Sequence, residues 1–138
     1  MKFMIIVKAT RDSEAGVMPD EALLSTMQKY HEELLKSGVL VDASGLKPSS
    51  QGWRVKYSGD QRTVVDGPFA ETKEMIAGYT IINVKSREEA LELTSRFPNP
   101  ADDGKAGEIE VREFFELEDF GPSVAIERFR EMGLAKGK

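Results

Sequence analysis

The order of the apolar segments constrains this 138-residue chain more than any other feature. Apolar, β-branched runs over residues 3–9 and 75–84 each predict a strand, and a helical pattern follows each of them. Residues 39–46 and 109–112 predict the strand that comes after each helix. Two β-α-β units in one chain indicate the split βαβ arrangement of ferredoxin-like α+β domains.

Both helices have recognisable start signals. Pro19 and the acidic residues that follow it begin the first helix, and Ser86 with Glu89 forms a capping box before the second. The first helix has an apolar stripe at helical spacing, made of Leu23, Met27, Tyr30 and Leu34. The polar stretch over residues 10–18 predicts only a loop before that helix.

A β-hairpin is predicted between the two β-α-β units. Trp53, Val55 and Tyr57 alternate with polar residues, which is typical of a half-buried strand. Residues 58–60 predict a turn, and residues 63–65 predict the strand that returns from it. The hairpin is therefore an insertion in the split βαβ pattern.

Residues 122–133 predict a short tail helix, which completes a single domain over residues 1–138. In a split βαβ domain both helices cover the same face of the sheet. The other face needs a cover, and a second copy of the sheet supplies one. We therefore expect a homodimer that packs sheet to sheet.

The composition excludes several classes of function. A net charge of −5 argues against a nucleic-acid or anionic-membrane surface, because both need a basic face. The absence of cysteine excludes disulfides, thiolate nucleophiles and cysteine metal sites. One histidine, scattered carboxylates and no phosphate loop predict neither a metal nor a cofactor. No apolar run has signal-peptide features or approaches the ~20 residues of a membrane helix, so a cytoplasmic location is expected.

The segment Asp-Gly-Pro-Phe-Ala-Glu-Thr-Lys-Glu, residues 66–74, holds most of the functional information. Asp66 ends a predicted strand, and the residue whose amide it would usually bind, Pro68, has no N–H. Its carboxylate must therefore reach the Phe69 amide or beyond, or point into a pocket. Either Asp66 and a glutamate such as Glu71 line a site, or the segment is a stiff loop with solvated charges.

This string, followed by Gly78-Tyr79, closely resembles the hallmark of the YCII-related family, in the branch called DGPF-domain proteins. The opening strand, the Gly45-Leu46-Lys47-Pro48 run and residues 107–112 are also similar to segments of that family. The resemblance implies a dimeric α+β barrel of the ferredoxin-like kind. The wider family is suspected of enzymatic activity because of a His–Asp pair in a cleft. DGPF proteins also resemble partners of bacterial extracytoplasmic-type sigma factors.

His31 is the only histidine, and it lies beside the apolar stripe of the first helix. Met27 and Leu35 are one turn away on either side, so its ring is predicted to be partly buried. A histidine in such a place can act as a general acid or base. By the resemblance, His31 matches the family's histidine and Asp66 its acidic partner, which would orient the imidazole. The alternative is a structural histidine at the edge of the core.

Four further residues are candidates for ligand binding. Phe69 is expected to be an apolar anchor and Glu71 a polar neighbour in the same loop. Trp53 forms either an aromatic wall of a pocket or a dimer contact, of which we favour the dimer contact. Arg112 shares a strand face with an acidic residue, so it makes an ion pair or binds an anionic ligand.

Two functions of different classes agree with these features. The first is a cofactor-free enzyme that moves a proton in an elimination or isomerisation of a small molecule, using His31 and Asp66. The second is a non-enzymatic module that binds a small molecule or a protein partner, such as a sigma factor. A purely structural dimer ranks third. The sequence leaves open whether the protein is an enzyme and names no substrate.

Overall fold

The structure, a computed structural model, describes residues 1–135. Its strands are β1 (Lys2–Lys8), β2 (Leu40–Gly45), β3 (Trp53–Ser58), β4 (Gln61–Asp66), β5 (Ile76–Asn83) and β6 (Ile109–Glu113). Its helices are α1 (Arg11–Glu14), α2 (Glu21–Lys36), α3 (Arg87–Ser95) and α4 (Val124–Glu131).

The main sheet has four strands in the order β2-β5-β1-β6, and every neighbouring pair is antiparallel. Ile5 in the central strand β1 lies opposite Thr80 of β5 on one side and Val111 of β6 on the other. Two β-α-β units interleaved in this order form the predicted split βαβ arrangement. Within residues 1–135, β3 and β4 pair only with each other. The predicted hairpin is therefore a separate two-stranded sheet, and it is inserted in the chain between β2 and β5, which are themselves neighbours in the main sheet.

Helices α2 and α3 cover one face of the main sheet. Their buried side chains join those of β1 and β5 in one core, made of Phe3, Ile5, Tyr30, Leu34, Val39, Ile82, Val84 and Ala90. The Tyr30 hydroxyl donates to the Leu93 carbonyl at 2.7 Å, which ties the two helices together. On the opposite face, away from α2 and α3, Met4, Ile6 and Ile81 are only half-buried.

The segment before α2 differs from its prediction. Residues 10–18 were expected to form only a loop, but α1 occupies Arg11–Glu14. Thr10 explains the difference, since its hydroxyl accepts from the Ser13 amide at 3.1 Å while the Ser13 hydroxyl accepts from the Thr10 amide at 2.8 Å. This reciprocal capping box stabilises a single helical turn. The short helix places Glu14 where it can contact the loop after β2.

The longer helices begin where local capping allows. Asp20 caps α2 by accepting from the Leu23 amide at 2.8 Å, and Ser86 caps α3 by accepting from the Glu89 amide at 3.0 Å. Gly38 ends α2 with φ +79°, a left-handed conformation that favours glycine. None of the helices found over residues 1–135 has both the length and the apolar character needed to cross a membrane.

Candidate functional site

The loop after β4, residues 66–74, is clamped against the 3₁₀ helix Ser49–Gln51. The Gly67 amide donates to the Gly52 carbonyl at 3.0 Å. A Cβ atom on Gly67 would lie 1.8 Å from the Ser49 carbonyl oxygen, which is far inside van der Waals contact. Only glycine therefore allows the two backbones to approach this closely. We call residues 66–74 the DGPF loop.

Ser49 connects three segments that are distant in the sequence. Its amide donates to Oε2 of Glu14 at 3.0 Å, and its hydroxyl donates to Oε1 of the same carboxylate. The Ser49 hydroxyl in turn accepts from the Phe69 amide at 3.1 Å. One carboxylate thus holds the 3₁₀ helix, and through it the DGPF loop, against α1. Hydrogen bonds to a charged group are the stronger kind, so this network orders the loop.

Arg54 faces the DGPF loop from β3. Its guanidinium carbon lies 3.8 Å from the centre of the Phe69 ring, a cation–π contact. One Nη atom is 3.7 Å from Sδ of Met75. Within residues 1–135 no ion pair includes Arg54. Since a guanidinium has five N–H donors, most of them remain available to another partner.

A cleft of roughly 340 Å³ lies between the DGPF loop, the start of β3 and the start of β5. Its apolar lining consists of Leu46, Trp53, Phe69, Met75 and Ile76. Its polar lining consists of Glu14, Lys47, Ser49, Arg54 and Glu74. Sites for small molecules usually measure about 300–1,000 Å³ and combine apolar walls with a few polar groups. The cleft has the composition of such a site and a size at its lower end.

A second, smaller depression lies between α2 and α3. It measures roughly 210 Å³ and is lined by Tyr30, Glu33, Leu34, Ser37, Leu93 and Arg96. The Arg96 guanidinium is already paired with Glu92 at 2.9 Å, and this hydrogen bond raises the pKa of Arg96. Because its only arginine is paired, we take the cleft beside the DGPF loop as the candidate site.

Of the predicted site residues, Trp53 and Phe69 line the cleft. Asp66 does not line it. Asp66 is exposed at the end of β4, opposite Trp53 in the hairpin register. The Phe69 amide, the first partner expected for its carboxylate, donates to Ser49 instead. The Asp66 carboxylate therefore lies in solvent, as in the alternative in which the charges of the loop are solvated.

His31 lies in the packed body of the protein, half-buried between α2 and the main sheet. Its Nδ1 is 2.7 Å from the Met27 carbonyl oxygen, and its Nε2 is 2.8 Å from the Thr80 hydroxyl. A carbonyl oxygen only accepts, so Nδ1 carries a proton, and in the neutral tautomer that has this proton Nε2 accepts from the Thr80 hydroxyl. Phe97 packs edge-on to the ring at 5.9 Å.

The structure thus does not bring the two predicted catalytic residues together. Both nitrogens of His31 have partners, and no hydrogen bond within residues 1–135 joins His31 to Asp66.

The remaining two candidates, Glu71 and Arg112, do not line the cleft either. Glu71 is exposed before the short turn Thr72–Glu74.

Arg112 is exposed on β6 and pairs with Glu110 at 3.2 Å, the ion pair that was one of its two expected roles. Glu110 also accepts from Lys8 at 3.5 Å, on the face of the main sheet away from α2 and α3. The hydrogen bonds from Arg112 and Lys8 lower the pKa of the Glu110 carboxyl below its usual value. Within residues 1–135 no group of three histidine, cysteine, aspartate or glutamate side chains is placed to hold a metal ion.

Comparison with known proteins places the chain in a family. The profile of the YCII-related domain matches residues 1–118, from β1 to the turn before α4. The chain belongs to the YCII-related family. An uncharacterized protein of Rhizobium meliloti is 30% identical to it over 93 residues, which are 67% of this YCII-related chain and 73% of that protein.

One solved structure is similar in fold. It is 5-chloro-2-hydroxyhydroquinone dehydrochlorinase from Burkholderia phenoliruptrix, in complex with 2,5-dihydroxybenzoquinone. The match has a TM-score of 0.46 and 14% sequence identity, and it covers 84% of the YCII-related chain and 95% of the dehydrochlorinase.

Glu14, Ser49 and Arg54 line the cleft of this YCII-related protein but were not among the predicted site residues. Glu14 was in a segment expected to be a loop, and Arg54 was one of the polar residues that alternate with Trp53, Val55 and Tyr57. Arg54 had a usable signal, because it lies next to Trp53 on a strand that precedes the DGPF loop. Glu14 and Ser49 had none, since they meet across 35 positions of the sequence.

Proposed function

We propose that this YCII-related protein binds a small molecule in the cleft beside the DGPF loop. The observation that carries the proposal is the Arg54 guanidinium, stacked 3.8 Å from the Phe69 ring at a cleft of roughly 340 Å³. A charged donor group beside an aromatic wall and an apolar floor is the combination that small-molecule sites use. The proposal is the binding alternative of the sequence analysis, given a place and a set of residues.

The fixed conformation of the DGPF loop beside the cleft supports this proposal. The Glu14–Ser49–Phe69 hydrogen bonds and the close approach of Gly67 to Ser49 hold the DGPF loop, and with it Phe69, in place without a ligand. A preformed site avoids the entropic cost of ordering loops during binding. Rigid support of this kind is expected around a binding site and has no evident use in a loop that only connects two strands.

The sole tryptophan makes the proposal directly testable. Trp53 lines the cleft, so a change in intrinsic tryptophan fluorescence reports on this position alone. We expect a screen of small metabolites to return compounds that change the Trp53 emission and raise the melting temperature. Leu46→Phe fills the cleft and should abolish both responses, whereas Leu91→Phe, on the exposed side of α3, should preserve them. Equal responses in the two variants would show that the ligands bind elsewhere.

A second candidate is proton transfer on a small molecule by His31, with Asp66 as its acidic partner, as the family resemblance implies. The observation that favours it is the fixed orientation of the ring. Because Nδ1 is held by the Met27 carbonyl, Nε2 is the basic nitrogen of the neutral imidazole. In this proposal Nε2 takes a proton from a substrate carbon and returns it to another substrate atom, an isomerisation that needs no cofactor. The Thr80 hydroxyl would have to turn away to admit the substrate.

Hydrogen exchange at carbon tests this second candidate. Carbonyl compounds incubated with the protein in D₂O should gain deuterium at the carbon that loses its proton, which NMR detects. His31→Gln should stop the exchange and Asp66→Asn should slow it. Asp60→Asn, at the tip of the same hairpin, should leave the rate unchanged. Exchange that persists in His31→Gln would exclude His31 as the base.

We further propose that two copies pack through the open face of the main sheet to form a dimeric α+β barrel. The half-buried Met4, Ile6 and Ile81 support it, since they form an apolar surface on the face away from α2 and α3. Sedimentation velocity should give a dimer for the wild type, a monomer for Ile6→Glu and a dimer for the control Leu91→Glu. A monomeric wild type would contradict the proposal. Membership of the DGPF branch, a sigma-factor partner and a cytoplasmic location stay predictions of the sequence.

A further inference from the structure

We infer that the ligand of the cleft is a singly charged carboxylate on a planar, aromatic body. This inference rests on the proposed function and adds the chemical class of the ligand. It starts from the guanidinium of Arg54, which contacts an aromatic ring and a sulfur atom and makes no ion pair within residues 1–135. The planar fork of a guanidinium matches the two oxygens of a carboxylate, and the resulting pair of hydrogen bonds is strong and directional.

The walls of the cleft select the body of the ligand. Trp53 and Phe69 supply aromatic faces, while Leu46 and Ile76 supply aliphatic surface. Aromatic side chains stack on flat rings with a gain beyond the buried area alone. A volume of roughly 340 Å³ admits one small ring system with its substituents.

Acidic residues limit the charge of the ligand. Glu14 and Glu74 line the same cleft as Arg54 and Lys47, so the charges of the lining balance. Both oxygens of Glu14 accept hydrogen bonds from Ser49, which keeps that carboxylate in place in the lining of the cleft. The two carboxylates of the lining would repel a dianion such as phosphate more strongly than a monoanion. A monocarboxylate that reaches Arg54 gains the charge-assisted pair of hydrogen bonds and meets the smaller repulsion.

Benzoate and benzamide form the matched probe pair, because they have nearly the same shape and differ in charge. We expect benzoate to shift the Trp53 emission and to give a saturable isotherm in calorimetry, with an affinity at least about tenfold above that of benzamide. Acetate, which has the charge without the ring, and inorganic phosphate should both bind more weakly than benzoate. Equal affinities of benzoate and benzamide would overturn the inference, and so would tighter binding of phosphate.

Variants on the hairpin assign the effect to one side chain. Arg54→Gln should reduce the benzoate affinity about tenfold, to the benzamide value, and Arg54→Lys should give an intermediate affinity because it keeps the charge but loses the fork. Arg62→Gln is the matched control, since Arg62 is on the same hairpin and stacks on Tyr57 at 5.0 Å outside the cleft. Benzoate binding that is unchanged in Arg54→Gln would contradict the assignment.

The two proposals fail in different ways. If metabolites still bind in a manner that Leu46→Phe blocks, but benzoate has no advantage over benzamide, the carboxylate class is wrong and the cleft remains the site. If Leu46→Phe and Leu91→Phe respond alike to every compound, the cleft is not the binding site and the proposed function is wrong. The comparison of probes on the wild-type protein needs no variant to fold, so it decides the ligand class by itself.

Discussion

His31 and Arg54 both lie against aromatic rings, but their polar atoms are used differently. His31 lies in the packed body, where Met27 and Thr80 engage both of its nitrogens within 2.8 Å. Arg54 lies beside a cleft, where the hydrogen-bond contact of its guanidinium within residues 1–135 is with the sulfur of Met75, at 3.7 Å. Unsatisfied donors in a cleft are available to a ligand, while satisfied ones in a core stabilise the fold. The hairpin side of the molecule is therefore the better place to look for binding.

Different interactions stabilise the packed body of the protein and the region formed by the DGPF loop and the hairpin. The body has an apolar core centred on Ile5 and Ile82, both fully buried. The DGPF loop and hairpin have almost no buried apolar residues, and their order comes from the Gly67 clamp and the Ser49 hydrogen bonds. Substitutions should therefore show that apolar burial stabilises the body, whereas hydrogen bonds and close backbone packing stabilise the region around the cleft.

The largest effect is expected in the body. Ile5→Ala should lower the free energy of unfolding by about 2–5 kcal/mol, because it removes buried methyl groups and leaves a cavity. Val64→Ala, on a hairpin residue that is 65% exposed, should change it by less than about 0.5 kcal/mol. Urea unfolding measures both. Similar losses would mean that the hairpin is buried in the functional state, as a dimer contact would bury it.

The next effect tests the clamp at the cleft. Gly67→Ala should cost about 1–3 kcal/mol, because its Cβ cannot fit 1.8 Å from the Ser49 carbonyl oxygen without moving the loop. It should also abolish the ligand-induced change in Trp53 emission. Gly52→Ala is the control, since its Cβ would be at an ordinary 3.7 Å from the same oxygen. A Gly67→Ala protein with wild-type stability and binding would show that the two backbones are not in close contact.

A smaller effect is expected for the hydroxyl that joins the three segments. Ser49→Ala removes the partner of the Phe69 amide and one donor to Glu14, and it should cost about 1–2 kcal/mol. Ser50→Ala, on the exposed neighbour, should be near neutral. Amide hydrogen exchange should be faster at Phe69 in the first variant alone. Unchanged protection of that amide would exclude the Ser49 hydroxyl as its acceptor.

The smallest effect concerns the open face of the main sheet. The pKa of Glu110 is lowered by the hydrogen bonds from Arg112 and Lys8, so its ionised form favours the folded state. That contribution is complete above the unfolded pKa and is lost as the pH falls through the lower, folded pKa. In Arg112→Gln the pKa of Glu110 should rise, and stability should depend less on pH in the acidic range. NMR titration of the Glu110 carboxyl carbon checks this, and an unchanged pKa would show that Arg112 is not its main partner.

Sequence reasoning predicted the architecture well and the site in part. Apolar runs, the alternating pattern and the helical period located the six strands and the three longer helices of residues 1–135, because each pattern depends on neighbours within a few positions. The Thr10–Ser13 box was missed, since a single helical turn leaves no apolar stripe. Trp53 and Phe69 were identified as site candidates because aromatic residues beside a glycine-proline loop are conspicuous. Arg54, their neighbour at the cleft, was overlooked.

By itself, the sequence determined the succession of strands and helices along the chain, the caps that begin α2 and α3, and the stiffness of the DGPF loop. These properties depend on local backbone preferences and on short-range hydrogen bonds. Only the tertiary structure decided that Glu14 meets Ser49 and that His31 meets Thr80, 49 positions away, rather than Asp66. Such contacts depend on how the helices lie on the sheet and on the register of the strands, in which a shift of one residue turns every side chain of a strand to the other face. The candidate site therefore moved from the histidine to Arg54, whose unpaired guanidinium became visible only once the hairpin was placed beside the loop.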